Sequence, residues 1–133
     1  MRRRISAMNA GKTILLVEDN DAVRASLGAV LEIGGYNVLL AMDGSEAVEI
    51  VSKSKDPIHL LITDVVMPRL SGVVLARQLQ QQRSEMKVLF MTGYNRQIAI
   101  EQYDMSEKAN FLQKPISMDQ ILQTVTSLLV EKD

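Results

Sequence analysis

Five short apolar runs, each followed by a stretch with helical periodicity, constrain this chain more than any other feature. The runs are residues 13–17 (TILLV), 36–41 (YNVLLA), 58–63 (IHLLIT), 87–91 (KVLFM) and 109–113 (ANFLQ). Their length and richness in branched residues read as buried strands. After the first, Val23, Leu27, Val30 and Leu31 recur at helical spacing and Gly34-Gly35 stops the helix. Asp43 and Glu46 resemble a capping box that opens a second helix to about 54, with Glu49 and Lys53 as an (i, i+4) pair. Asp56-Pro57 marks the turn before the third strand, and Ser71 caps a third helix to about 83. A weaker helix spans 95 to about 107, with Ile98, Ala99 and Tyr103 as its apolar positions. Ser117 and Gln120 introduce the clearest stripe, Met118, Ile121, Leu122, Val125, Leu128 and Leu129.

Strict strand–helix alternation predicts an α/β fold, a parallel sheet with helices on both faces and right-handed crossovers. Residues 1–11 fall outside the pattern and are expected to be a flexible N-terminal tail, leaving 12–133 as one domain. A chain of 133 residues with 47% apolar content can bury a core of its own. With no cysteine and a single histidine, His59, disulfides and thiolate metal sites are excluded and zinc has little to bind. His59 reads as a solvated strand residue. A net charge of −1 gives no pull toward nucleic acid. The longest apolar run, 38–42, is far short of the ~20 residues of a membrane helix. The basic start MRRRISAMNAGK lacks the apolar stretch of a secretory signal, so a cytoplasmic location is expected.

The polar residues fall in one place. Glu18 and Asp19 follow the first strand, Asp64 the third, Thr92 the fourth and Lys114 the fifth. In an open parallel sheet these ends share one edge, where ligands bind. Packed acids repel, and each would resist ionising. A hard cation resolves that conflict, and Mg²⁺ suits carboxylates, waters and phosphate oxygens. Lys114 is a point charge for a phosphoryl oxygen, and Thr92 brings a hydroxyl. The set matches phosphoryl transfer onto a carboxylate. Singly, each residue has a plainer reading: Asp19 as a helix cap, Asp64 and Thr92 as turn residues, Lys114 as surface charge. Their conjunction at successive strand ends favours the chemistry.

With those residues in place, the sequence resembles the receiver domain of two-component response regulators over about residues 12–130. The matching stretches are ILLVEDN (14–20), LLITDVVMPRLSG (60–72), VLFMTGY (88–94) and FLQKPIS (111–117). The resemblance implies a flavodoxin-like, doubly wound (βα)5 fold with strand order 2-1-3-4-5. It implies Asp64 as phosphoacceptor and Mg²⁺ held by Glu18, Asp19, Asp64 and the backbone carbonyl of Val66. Lys114 and Thr92 would hold the phosphoryl group, and Thr92 and Phe111 would act as the switch pair. A cis Lys114-Pro115 bond also follows from the resemblance alone.

The implied donor is a phosphohistidine on a histidine kinase or phosphotransfer protein, docking near the first helix. The implied output surface is the fourth helix, fifth strand and fifth helix, acting on a downstream protein the sequence does not identify. Phosphorylation-dependent homodimerisation is left open. Nucleic acid and membrane are not expected as direct partners. The motifs look most like receivers of hybrid histidine kinases, and a stand-alone regulator is the other context. Three rival classes fit the sequence less well. An Mg²⁺-dependent phosphatase with an Asp nucleophile would carry a second acid where Val66 stands. A nucleotide or flavin module would carry a glycine-rich loop where EDNDAV stands. A docking module independent of phosphorylation would not need the intact acid, Thr and Lys set.

Overall fold

The computed structural model describes residues 11–130. The expected tail, 1–11, lies outside those residues except for Gly11. Among the described residues ten elements alternate without exception: β1 (Thr13–Val17), α1 (Asp21–Ile33), β2 (Asn37–Ala41), α2 (Gly44–Lys53), β3 (Leu60–Asp64), α3 (Gly72–Gln82), β4 (Lys87–Thr92), α4 (Arg96–Tyr103), β5 (Asn110–Gln113) and α5 (Met118–Leu129). All strand pairs are parallel, in the order β2-β1-β3-β4-β5. Among the described residues no helix is long and apolar enough to cross a membrane.

The period-2 alternation of the strands sorts the core into two layers. On one face Leu15, Val17, Leu61 and Phe90 pack against Ala47 and Val51 of α2, Val73, Ala76 and Leu79 of α3, and Ala99 of α4. On the other, Ile14, Leu16, Leu60, Ile62, Leu89 and Met91 pack against Leu27, Val30 and Leu31 of α1 and Ile121, Val125 and Leu129 of α5. The first, third and fourth strands are covered on both faces, which is why they read as continuous apolar runs.

Each helix begins with a short polar side chain that accepts a backbone N–H three residues on. Asn20 accepts from Val23, Asp43 from Glu46, Ser71 from Val74, Asn95 from Ile98 and Ser117 from Gln120. Asn20, not Asp19, caps α1. Asp19 is therefore spared for the sheet edge.

Several boundaries differ from expectation. β2 starts at Asn37, because Tyr36 turns into the core and bonds its hydroxyl to Thr126 Oγ1 at 3.0 Å. α4 ends at Tyr103, not near 107. Asp104 adopts a left-handed φ of 60° and its N–H closes onto Ala99 O, after which Met105 drops into the core. His59 is not solvated: it is half-buried and its Nδ1 accepts the Thr13 N–H at 2.9 Å.

Candidate functional site

The sheet register brings the polar residues together. Strand β3 runs one residue further than the sequence suggests, so Asp64 is its last residue, paired with Met91. Thr92 ends β4 opposite Gln113, and Lys114 follows at once, its N–H bonded to Thr92 O at 2.8 Å. Glu18 continues β1 and donates its N–H to Ala41 O. The acids sit at adjacent strand tips because β1 and β3 are hydrogen-bonded neighbours.

Glu18, Asp64 and Thr92 are buried, whereas Asp19 is exposed. Lys114 reaches in from β5, with Nζ 2.5 Å from Glu18 Oε1 and 2.6 Å from Asp64 Oδ1. The other Glu18 oxygen, Oε2, accepts the Asn20 N–H at 3.0 Å. Asp64 is less well served. Among the described residues neither of its buried oxygens has a hydrogen-bond partner, its contact with Lys114 being an ion pair only.

This asymmetry splits the two acids. Burial works to raise both. For Glu18 the interactions with Asp64, Lys114 and the Asn20 N–H outweigh it and hold the carboxyl well below its usual range. For Asp64 burial wins, the Glu18 carboxylate beside it adds to the effect, and Lys114 offsets only part, so the carboxyl is pushed up to about 8. Lys114 is raised despite burial, because Asp64 and Glu18 favour its charged form. The expected reluctance to ionise is thus concentrated on Asp64 rather than shared. The notch thus pairs a Glu18 whose charged form is favoured with an Asp64 whose charged form is disfavoured, around one ammonium.

One ligand atom each from Glu18, Asp19 and Asp64 lies within 4.8 Å of the others, a spacing that could hold a metal ion. Oxygen-only donors with buried, unpartnered Asp64 oxygens fit a hard divalent cation. Val66 is at the rim and 39% exposed. Thr92 Oγ1 accepts the Tyr94 N–H at 3.2 Å, which leaves its hydroxyl proton available. Phe111 does not join the notch. It is half-buried within β5, opposite Phe90, with the Arg96 guanidinium 5.1 Å from its ring centroid. The Lys114-Pro115 bond is cis. Beside Lys114 a groove of about 660 Å³ is lined by Ala22, Val23 and Leu27 of α1 with Pro115 and Ile116.

Residues that carried no role in the sequence also shape the site. A Cβ at Gly72 would fall 1.8 Å from Asp64 O, so only glycine lets α3 start this close. The Gly72 N–H bonds Val65 O at 2.8 Å, pinning the turn. Buried Thr63 donates its hydroxyl to Asp64 O at 3.0 Å. Arg24 donates to Glu18 O at 2.9 Å and pairs with Asp21 at 2.7 Å. A glycine directly after the capping Ser71 was the one available signal; Thr63 and Arg24 left none.

Comparison with known proteins agrees with this fold. The family model described as response regulator receiver domain matches residues 14–126. The chain is 35% identical over 126 residues to a sensor kinase, CckA, of Brucella abortus, covering 95% of this chain but 13% of that protein. The crystal structure of the receiver domain from a hybrid histidine kinase CckA superposes with a TM-score of 0.75 at 35% identity, over 88% of this chain and 98% of that one. The response regulator receiver protein CpdR of Brucella abortus is 32% identical over 119 residues, covering 90% of this chain and 98% of that protein. The response regulator TrrA of Thermotoga maritima, in complex with Mg²⁺-BeF, superposes with a TM-score of 0.75 at 25% identity, over 89% of this chain and 99% of that one.

Proposed function

This chain belongs to the response regulator receiver domain family of two-component signalling, and from that premise we propose that Asp64 accepts a phosphoryl group from a phosphohistidine. The observation that carries the reading is the state of Asp64: buried at a strand tip, with unpartnered oxygens, between a cation and two further acids. A carboxylate held only by an ion pair, with no hydrogen bond to give up, is suited to being a nucleophile.

Mg²⁺ would be held by Glu18, Asp19, Asp64 and the Val66 carbonyl, and when bound it supplies charge neutralisation between carboxylates and phosphoryl oxygens. The chain's own residues do the rest. With the cation in place Asp64 would give up its proton to solvent, and the ionised Oδ attacks phosphorus in line. The O–P bond forms as the donor's N–P bond breaks, and the electron pair returns to the imidazole nitrogen. Lys114 turns its ammonium from the two carboxylates to a phosphoryl oxygen, and Thr92 donates its hydroxyl proton to another. The groove between α1 and Pro115-Ile116 is where the histidine kinase or phosphotransfer protein docks, because it opens directly beside Lys114. Thr92 and Phe111 then switch the α4–β5–α5 surface by population shift, to control a downstream protein.

We read residues 12–133 as the receiver unit and its role as signalling, not substrate turnover. The domain assists its own phosphorylation and dephosphorylation, with the cytoplasm as its proposed location. The experiment is labelling by acetyl phosphate with Mg²⁺. The wild type should be labelled and Asp64→Asn should not. Undiminished labelling of Asp64→Asn would overturn the assignment.

A further inference from the structure

Helix α4 is held differently from the others. Of its residues only Ala99 is buried. Its far end is tied by Arg77 of α3, which bonds Asp104 O at 3.0 Å and Asp104 Oδ2 at 2.9 Å. Its near end is tied by Arg96, whose Nη1 donates to Ala109 O at 2.9 Å and to Glu107 O at 3.4 Å. The same guanidinium covers the Phe111 ring, 5.1 Å from the centroid, within the range of a cation–π contact. Ala109 is two residues before Phe111, so one side chain grips both the entry of β5 and its aromatic ring.

We propose that Arg96 is the latch of the switch: its guanidinium, bonded to Ala109 O and stacked on Phe111, holds the ring outward and α4 against β5 until Asp64 is phosphorylated. This rests on the reading of Phe111 as the switch aromatic. Inward rotation of the ring withdraws it from the guanidinium. Once the ring leaves, Arg96 keeps only its carbonyl bonds to the entry of β5. A latch that favours the resting arrangement lowers the apparent affinity for anything that favours the active one. Arg96 is thus a positioning residue, remote from the reacting atoms, that sets how readily the domain responds.

Beryllofluoride with Mg²⁺, which mimics the phosphoryl group, tests this by titration while amide and Phe111 ring resonances are followed. In Arg96→Ala the half-saturating concentration should fall about two- to fivefold, the worth of one exposed cation–π contact. Arg96→Lys, which keeps charge but loses the planar fork, should fall between it and the wild type. In a Phe111→Leu background, Arg96→Ala should have no further effect. The latch is overturned if Arg96→Ala leaves the half-saturating concentration unchanged, or raises it, while the wild-type ring still shifts. An Arg96→Ala protein with a lower urea midpoint but unaltered beryllofluoride affinity overturns it too, since a tether that only stabilises would do this. A wild-type ring that stays still while the Asp64 amide shifts defeats the switch-aromatic reading, and the latch with it. Absence of any response in the wild type defeats the proposed function itself.

Discussion

Lys114 Nζ stands 2.6 Å from Asp64 Oδ1, yet burial and the neighbouring Glu18 push the Asp64 carboxyl up to about 8. The ammonium is shared with Glu18, which sits 2.5 Å away on the same nitrogen and also holds the Asn20 N–H. A single cation between two buried acids ionises one of them.

Stability without metal should therefore depend on pH in an uncommon direction. Asp64 has a raised folded-state pKa, so its contribution is fully present below the unfolded value of about 3.9 and is lost as pH rises through about 8. Glu18 acts oppositely, its contribution present above the ordinary carboxylate range and lost as pH falls toward about 2. Urea midpoints in EDTA should fall between pH 5 and 8. A midpoint that rises across that window would contradict the assignment of protons.

Asp64→Asn removes the group that must hold a proton. At pH 8 without metal it should stabilise the fold by about 1–3 kcal/mol. At pH 4 most of the gain should vanish, since the wild-type acid is then protonated in the folded state and about half protonated in the unfolded one. Urea unfolding of both proteins at the two pH values checks this. A gain of the same size at both would show that ionisation is not its source.

Mg²⁺ must displace the Asp64 proton. Its affinity should rise with pH, approaching about tenfold per unit below pH 8, and level off above it. Titration in weak buffer near neutral pH should release protons, and near pH 10 release none. Calorimetry in buffers of different ionisation enthalpy counts them.

Gly72→Ala forces a Cβ onto the Asp64 carbonyl, where the distance would be 1.8 Å. The start of α3 or the tip of β3 must move. A loss of about 1–3 kcal/mol is expected, as for overpacking elsewhere, together with slower labelling of Asp64. Unchanged labelling would mean that the tip of β3 is not held from behind.

Val66 and Tyr94 flank the site, 39% and 47% exposed, and neither offers a carboxylate or amide to orient a water. Slow self-hydrolysis is expected. A chase of the labelled protein at neutral pH should show persistence well beyond seconds, and Val66→Asn should shorten it. A half-life of seconds in the wild type would count against this.

The sheet was legible because its strands are buried on both faces and punctuated by polar caps. Alternation alone predicts a parallel α/β sheet, whereas the order β2-β1-β3-β4-β5 was reached only through the resemblance. The approach of Glu18, Asp19, Asp64 and Lys114 followed from strand polarity. What escaped were properties of distance. That Asn20 rather than Asp19 caps α1 depends on which carbonyl faces Val23. The role of Gly72 depends on how closely a helix passes a strand tip. The grip of Arg96 on Phe111 spans fifteen positions and has no periodicity to betray it. The end of α4 was misread because a left-handed Asp104 leaves no apolar mark.

The two flanks of the sheet are unequally anchored. On one side α1 and α5 lock together over a continuous aliphatic wall. On the other, α4 contributes Ala99 to the core and hangs from two arginines. A displacement that begins at the tip of β3 is therefore expected to be taken up more readily by α4 than by that wall. Such an architecture would act as a mechanical rectifier, steering motion outward through its less buried helix.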